Sequence, residues 1–306
     1  MRIAVMGAGS IGGYFGGMLA RGGNQVALIA RGPNLMAIKE KGLRIVADEG
    51  EFSVHCDATD DPAQVGVVDL IFLTVKTYHN PDAIPAMLPM VGRDTVVLCL
   101  QNGIDSYQAV AEGVGADKVL PGAAYIEAGL PEPGVVTQTG SVVRIEFGEP
   151  DGGYSERGQR ILQTLEHSGI PARFSLDIHQ ALWSKFLFIA TMAGVTTLSR
   201  QTMAQLMPRP EWRQVIVGCM QEIAAVGRNS GIRLDLDIVN ITIQYIDGSL
   251  DQLQASMHSD ILAGRPLELE ALNGAVIRAG RKINTPTPIN DVIYAMLKSF
   301  ASGQTR

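Results

Sequence analysis

The feature that most restricts the fold of this chain is a glycine-rich loop close to its N-terminus. The pattern G-x-G-x-x-G is matched by Gly7, Ala8, Gly9, Ser10, Ile11 and Gly12. An apolar run at residues 3–6 comes directly before the loop, and a helix-like stretch with Tyr14 and Phe15 follows it. In this context the first glycine allows a tight turn, the second lets a pyrophosphate approach the backbone, and the third allows close helix–strand packing. The loop therefore predicts a dinucleotide site, and a glycine turn without a ligand is the alternative.

The first half of the chain alternates short apolar runs with helix-like stretches. Such alternation is typical of a parallel sheet covered by helices. Runs on both sides of Asp48-Glu49-Gly50 predict an inserted hairpin, and runs after Pro133-Gly134 predict an antiparallel edge to the sheet. The predicted core strands span 3–6, 25–30, 68–75, 95–100 and 119–125, the hairpin strands span 43–46 and 51–56, and the edge strands span 135–137 and 142–147.

After about residue 175 the apolar residues recur at helical spacing. The longest uncharged apolar run, at 186–195, is shorter than the roughly 18 residues of a membrane span, so it predicts a buried helix. We therefore expect an α/β fold with a nucleotide-binding domain at 1–175 and an all-helical domain at 176–306, a division that the length also favours. The predicted helices of the second domain span 178–198, 211–229, 236–246, 267–279 and 290–300.

Charge and cysteine usage restrict the partners. The formal net charge is −6 and no dense Lys/Arg cluster occurs, which disfavours a nucleic acid or an anionic membrane as partner. The three cysteines and five histidines show no metal-ligand spacing, and the apolar run at 3–6 is expected to be a first strand and not a signal peptide. We expect a cytoplasmic protein with small-molecule partners and no metal site. The oligomeric state is left open, and a homo-oligomer is compatible with the sequence.

Polar residues follow three of the predicted strands. Arg31 ends the second strand, where NAD enzymes usually place an acid for the ribose hydroxyls, and its guanidinium favours the 2′-phosphate of NADP. Lys76 and Asn102 come just after the third and fourth strands, at the sheet edge where such folds bind ligands. Solvated charges at Arg31 and Lys76 and an Asn-Gly turn at Asn102 are the alternatives. Together with the glycine loop, the three residues favour one ligand-binding rim.

A lysine interrupts an apolar stripe in the helical half. The stripe consists of Ile178, Leu182, Lys185, Ile189 and Met192. Burial disfavours the ammonium form and lowers the pKa of a lysine, which makes Lys185 a usable proton donor near neutral pH. A lysine whose amine extends past the helix edge into solvent fits the same spacing.

Five motifs occur in order along the chain: the glycine loop, Thr74-Val75-Lys76, Gln101-Asn102-Gly103, Trp183-Ser184-Lys185 and the segment 268–274. In this order and spacing the chain resembles the ketopantoate reductase family from its first residues to its last domain. The resemblance implies a Rossmann domain joined to a helical domain like that of 6-phosphogluconate dehydrogenase. It also implies reduction of a 2-oxo acid by NADPH, most directly of ketopantoate (2-dehydropantoate) to pantoate in pantothenate biosynthesis.

The resemblance also implies roles for single residues. It implies that Arg31, Lys76, Asn102 and Glu268 bind the cofactor together with the glycine loop. Lys185 would be the general acid, and Asn102, Lys185 and Ser256 would bind the substrate. Without the resemblance, Ser256 and Glu268 are interpreted as residues on helix surfaces.

The chain departs from the family pattern beside the lysine. Family members that reduce ketopantoate have asparagine four and eight residues after the lysine, where this chain has Ile189 and Ala193. An apolar side chain cannot replace a hydrogen-bonding amide, and the loss of such a partner costs about 1–3 kcal/mol. A related reductase or dehydrogenase of a less polar 2-oxo or hydroxy acid is therefore an alternative, and a non-catalytic NADP-binding sensor is another.

Overall fold

The computed structural model of the chain describes residues 1–250, 253 and 255–303, which form ten β-strands and twelve α-helices. The last three residues of the predicted 176–306 domain lie outside this part of the chain. The strands are β1 (Arg2–Met6), β2 (Gln25–Ile29), β3 (Leu43–Ala47), β4 (Gly50–Val54), β5 (Asp57–Thr59), β6 (Leu70–Leu73), β7 (Val96–Cys99), β8 (Val119–Glu132), β9 (Val135–Phe147) and β10 (Ala172–Phe174). The helices are α1 (Ser10–Arg21), α2 (Gly32–Lys41), α3 (Asn80–Met87), α4 (Ser106–Val114), α5 (Glu156–His167), α6 (Ile178–Ser199), α7 (Met203–Leu206), α8 (Pro210–Asn229), α9 (Ile238–Ser249), α10 (Ser256–Leu262), α11 (Asn273–Lys282) and α12 (Pro288–Leu297).

The strands form one sheet in the order β4-β3-β9-β8-β7-β6-β1-β2-β5, with β10 paired to β9. From β8 to β5 each neighbouring pair is parallel, and Met6 of β1 lies opposite both Ile29 of β2 and Leu73 of β6. All residues of β6 and β7 are buried, because their uninterrupted apolar sequences suit strands covered on both faces. The predicted parallel sheet covered by helices is confirmed.

The other end of the sheet differs from the prediction. β8 and β9 form a long antiparallel hairpin, in which Gly122 lies opposite Phe147. The predicted antiparallel pairing is therefore confirmed, but the predicted edge position is wrong, because β9 also pairs in parallel with β3 and so lies inside the sheet. The hairpin of β3 and β4 is present as predicted, with Leu43 opposite Val54, and β4 is the end strand. The local sequence pattern identifies the two strands of a hairpin. The strand that pairs with the other edge of β9 comes from a distant segment, which a local pattern does not identify.

The chain divides into two compact units. The first comprises Met1–Gln101 and Ser106–Ile178, and the second comprises Asn102–Asp105 and the described residues from His179 onward. The second unit is helical, as predicted, although the helix expected at 267–279 begins only at Asn273 because residues 269–272 form turns. The domain boundary at residue 175 stays a prediction.

Helix α6 runs through the apolar core of the second unit. Leu187, Ala190 and Val195 are fully buried on it, and they pack with residues of α8, α11 and α12. By length and composition α6 is also the one helix of the described residues that could cross a membrane, but 67% of its most apolar window is buried inside the protein. This degree of burial is that of a core helix.

Candidate active site

The three glycines of the loop lie in different surroundings, so an added side chain would have a different effect at each. Gly7 has a φ of +106°, which favours glycine, and a Cβ there would lie 2.8 Å from the backbone nitrogen of Val75. A Cβ on Gly12 would lie 2.3 Å from the carbonyl oxygen of Gly7. At Gly9 a Cβ would meet no heavy atom within 4 Å, and this residue immediately precedes α1, which begins without a side-chain cap. Open space beside the first N–H groups of a helix fits a pyrophosphate.

Two side chains hold the loop in place. The Thr74 hydroxyl donates a hydrogen bond to the carbonyl oxygen of Gly7 at 2.8 Å. The Asn34 amide donates to the carbonyl oxygen of Ala8 at 2.7 Å and accepts from the backbone nitrogen of Gly134 at 2.8 Å. The role of Asn34 could not be predicted from the sequence, because a polar residue in the first turn of a helix gives no signal of its distant partners.

Arg31 and Lys76 lie on the two sides of the glycine loop. Arg31 is exposed and precedes α2 at the carboxyl end of β2, and Lys76 is half-buried beyond the carboxyl end of β6. Both strands pair in parallel with β1, which leads into the loop. Carboxyl ends of parallel strands meet at one edge of the sheet, so loop, guanidinium and ammonium are gathered at the edge where such folds bind dinucleotides.

Lys185 contacts Asn102 within the second unit. Its Nζ donates a hydrogen bond to Asn102 Oδ1 at 3.1 Å, and both residues are partly buried. Burial lowers the pKa of Lys185 to about 8 because the ammonium loses hydration, and the carboxylate of Glu268 opposes this effect. An amine with this pKa is largely protonated at neutral pH and releases its proton far more readily than an ordinary lysine.

Glu268 is buried at the start of a turn that packs against α6, the helix that carries Lys185. Glu268 is 4% exposed, and its backbone carbonyl oxygen accepts hydrogen bonds from the backbone nitrogens of Ala271 and Leu272, both at 3.1 Å. Just after this turn, the buried amide of Asn273 lies against Gly194 of α6, where a Cβ would be 2.9 Å away. The interpretation of Glu268 as a helix-surface residue is wrong, because the apolar spacing of this segment belongs to a buried turn.

The Asn-Gly pair at residues 102 and 103 is more than a flexible turn. Gly103 has a φ of +117°, and a Cβ there would lie 3.1 Å from the carbonyl oxygen of Ala271. Arg278 of α11 pairs with Asp105 at 3.2 Å. The segment Asn102–Asp105 therefore packs against the turn that carries Glu268, and this packing keeps Asn102 and Glu268 in one constellation with Lys185.

The remaining predicted residues are placed as follows. Ser256 is exposed at the first residue of α10. Ile189 and Ala193 lie one and two turns after Lys185 on α6, and both pack against the apolar core of the second unit. The structure thus brings Lys185, Asn102 and Glu268 together and surrounds the following turns of α6 with apolar side chains. The substrate role of Ser256 stays a prediction.

The first unit has a Rossmann-type sheet and a glycine loop with space for a pyrophosphate, and the second unit is helical and contains a lysine with a lowered pKa. This combination is the architecture of a pyridine-nucleotide-dependent oxidoreductase. Residues 3–152 match the family model described as Ketopantoate reductase PanE/ApbA, and residues 177–301 match the one described as Ketopantoate reductase PanE/ApbA C terminal. The chain belongs to the ketopantoate reductase family, whose members are oxidoreductases that act on CH–OH groups.

Relatives with different substrates resemble the whole chain. The 2-dehydropantoate 2-reductase of Lactococcus lactis is 30% identical over 98% of this chain and 97% of the relative. The crystal structure of 2-dehydropantoate 2-reductase from Geobacter metallireducens superposes with a TM-score of 0.93 at 27% identity, covering 98% of this chain and 99% of that one. D-mandelate dehydrogenase, solved with NADH and anilino(oxo)acetate, has a TM-score of 0.90 at 28% identity and 98% coverage of both chains.

Proposed function

We propose that the protein reduces the keto group of a 2-oxo acid with NADPH, and that 2-dehydropantoate is the substrate. The observation that carries the proposal is the hydrogen bond between Lys185 Nζ and Asn102 Oδ1, beside a buried Glu268, on a largely apolar helix. A protein that only binds a nucleotide gains nothing from a desolvated amine with a pKa of about 8. The observation therefore favours proton transfer over a non-catalytic sensor.

The residues of the first unit suit NADP. The open space at Gly9 and the uncapped start of α1 would take the pyrophosphate. Arg31 would form charge-assisted hydrogen bonds to the 2′-phosphate, and Lys76 would add positive charge on the other side of the loop. Asn102 and Glu268 would complete the cofactor contacts, by analogy with the family. The similar D-mandelate dehydrogenase was solved with NADH, so the preference for NADP rests on Arg31.

Reduction of a keto group takes up hydride at carbon and a proton at oxygen, and bound NADPH supplies the hydride. Negative charge develops on the carbonyl oxygen as the carbon is reduced. The Lys185 ammonium stabilises this charge and donates its proton to the oxygen, which leaves a hydroxy acid and a neutral amine. Asn102 accepts a hydrogen bond from Lys185 and so orients the amine, and solvent returns the proton after product release.

A second substrate class has its own support. The turns of α6 after Lys185 carry Ile189 and Ala193, which pack against the apolar core, and the similar D-mandelate dehydrogenase was solved with anilino(oxo)acetate, which carries an aromatic ring. A 2-oxo acid with an apolar or aromatic side chain is therefore the second candidate. For either substrate, the three cysteines, none of which forms a disulfide, support a reducing compartment such as the cytoplasm.

The test is NADPH oxidation by the purified protein with 2-dehydropantoate, phenylglyoxylate and pyruvate, each repeated with NADH. Lys185→Ala is the matched control for background oxidation. We expect the highest kcat/KM with NADPH and 2-dehydropantoate. A preference for phenylglyoxylate would select the second candidate, and tight NADPH binding without turnover of any 2-oxo acid would favour the sensor.

A further inference from the structure

A buried pair of side-chain amides lies beyond the ends of β6 and β7 in the first unit. Gln101 is 6% exposed and Asn80, the first residue of α3, is 8% exposed. Gln101 Nε2 donates a hydrogen bond to Asn80 Oδ1 at 2.6 Å, and Asn80 Nδ2 donates to Gln101 Oε1 at 3.2 Å. Each amide thus both donates to and accepts from the other, which holds their relative orientation.

The Gln101 side chain also bonds to the neighbouring strand end. Its Nε2 donates to the carbonyl oxygen of Val75 at 2.8 Å, and its Oε1 accepts from the Cys99 thiol at 3.6 Å. Both N–H groups and the oxygen of the amide are therefore engaged, and the side chain has a single satisfied orientation. Regular pairing of β6 with β7 ends at Leu73 opposite Cys99, so this amide joins the two chain segments after the strands have stopped pairing.

The bonded groups are next to two residues of the proposed site. Val75 immediately precedes Lys76, and Gln101 immediately precedes Asn102. The Gln101 amide thus holds the peptide that leads into Lys76 and the start of the segment that leads into Asn102. A change in this bond would alter how these two chain segments are held to each other.

We propose that Gln101 is a positioning residue, whose buried amide fixes the spacing between the strand ends of the first unit that lead into Lys76 and Asn102. The inference rests on the proposed function, which assigns these two residues to the cofactor and the substrate. The Gln101 side chain is buried and hydrogen-bonded to groups of the protein. It acts through the backbone of Val75 and through the peptide that joins it to Asn102.

The structure offers a matched control at the opposite ends of the same strands. Thr95 is 3% exposed and immediately precedes β7, and its hydroxyl donates to the carbonyl oxygen of Val68, just before β6, at 2.5 Å. The Thr95 and Gln101 hydrogen bonds are both buried, and each joins a side chain next to β7 to a backbone carbonyl next to β6. The Thr95 hydrogen bond lies at the amino ends of the strands, away from the glycine loop.

The experiment compares Gln101→Met with Thr95→Val, each of which replaces a hydrogen-bonding side chain by an apolar one of similar shape. We would measure the Tm, the Kd for NADPH by fluorescence titration, and kcat and KM with whichever 2-oxo acid the unmodified protein reduces. Both variants should lower the Tm. Gln101→Met should raise the Kd for NADPH about tenfold and lower kcat, whereas Thr95→Val should keep both within about twofold.

Asn80→Ala provides a second variant in case Gln101→Met does not fold. It removes one partner of the amide pair but leaves the bond from Gln101 to Val75, so the Kd for NADPH should rise about threefold. If both site-end variants bind NADPH as well as Thr95→Val does, Gln101 has only a structural role and the inference is wrong. If the unmodified protein binds NADPH but reduces no 2-oxo acid, the proposed reaction fails while the Kd comparison still decides the role of Gln101. If it binds neither NADPH nor NADH, both proposals fail.

Discussion

The glycine loop of the first unit is made by six consecutive residues, whereas the surroundings of Lys185 are made by three segments far apart in the sequence. In the proposed function, the loop binds the nucleotide through backbone N–H groups, and the lack of a side chain at Gly9 leaves room for the pyrophosphate. In the proposed function, Lys185 works through a side chain whose pKa is lowered by burial and raised by the charge of Glu268, and whose amine donates a hydrogen bond to Asn102. Binding of the nucleotide and transfer of the proton therefore respond to different kinds of substitution.

The difference also concerns robustness. A backbone site survives most substitutions at its non-glycine positions, because the N–H groups remain. A desolvated lysine changes its pKa whenever its neighbours move, because the cost of desolvation and the charge of Glu268 are both sensitive to distance. We expect substitutions in the first region to change cofactor affinity and substitutions in the second to change turnover.

The largest expected effect is the loss of the proton donor. Lys185→Ala should lower kcat by about 100-fold or more, in line with general acid catalysis, and should leave the Kd for NADPH largely unchanged. Steady-state kinetics and fluorescence titration check the two halves of this statement. Full turnover in Lys185→Ala would show that another group is the acid, and the contrast between the two regions would then be lost.

The pH dependence of turnover sharpens the role of Glu268. Lys185 must be protonated to act as an acid, so kcat for reduction should fall above its pKa of about 8, by about tenfold per pH unit. The carboxylate of Glu268 raises the pKa of Lys185, so in Glu268→Gln the fall should begin at a lower pH. Profiles of kcat against pH for both proteins provide the measurement. An unchanged or higher midpoint in the variant would contradict the assignment.

Substitution of Arg31 tests whether the first unit selects NADPH over NADH. Arg31→Ala should raise the Kd for NADPH by about tenfold, because a charge-assisted pair costs ~1.5–3 kcal/mol to lose, and should change the Kd for NADH little. Lys39→Ala, which removes an exposed cation further along α2, is the matched control. Equal affinities of the unmodified protein for NADPH and NADH would count against NADP specificity.

Two alanine substitutions separate the roles of the loop glycines. Gly9→Ala should leave the Tm unchanged, because its methyl group meets nothing within 4 Å, and should weaken NADPH binding several-fold by occupying the place of the pyrophosphate. Gly12→Ala should instead lower the free energy of unfolding by about 1–3 kcal/mol, because its methyl would overlap a carbonyl oxygen. Thermal melting and NADPH titration of both variants check the contrast. Unweakened NADPH binding by a stable Gly9→Ala protein would show that the pyrophosphate does not lie there.

The smallest expected effect concerns substrate choice beside the lysine. Ile189→Asn should raise kcat/KM for 2-dehydropantoate relative to phenylglyoxylate a few-fold, because an amide one turn after Lys185 offers a partner to the substrate hydroxyl. Ile189→Val keeps the apolar surface and is the control. A strong preference of the unmodified protein for 2-dehydropantoate would mean that the apolar side chains at 189 and 193 do not restrict the substrate.

Much of the first unit could be predicted because its signals are local. A strand, a glycine loop and a helix within about twenty residues identify the dinucleotide fold, and alternating apolar runs identify the parallel sheet. The position of β9 could not be predicted, because its pairing with β3 joins segments about ninety residues apart, and hairpin patterning carries no information on that partner. The hydrogen bonds of Asn34 and Gln101 to distant segments could not be predicted for the same reason, although Gln101 belongs to one of the five motifs.

In the second unit, sequence by itself determined that Lys185 lies on a largely apolar helix and that Ile189 and Ala193 follow it at one-turn intervals. Only the tertiary structure decided what that lysine can do. Its hydrogen bond to Asn102 and its charge interaction with Glu268 join residues 83 positions apart in both directions along the chain. The physical reason is that helical spacing follows from local backbone geometry, whereas a pKa follows from desolvation and from charges that only folding brings close.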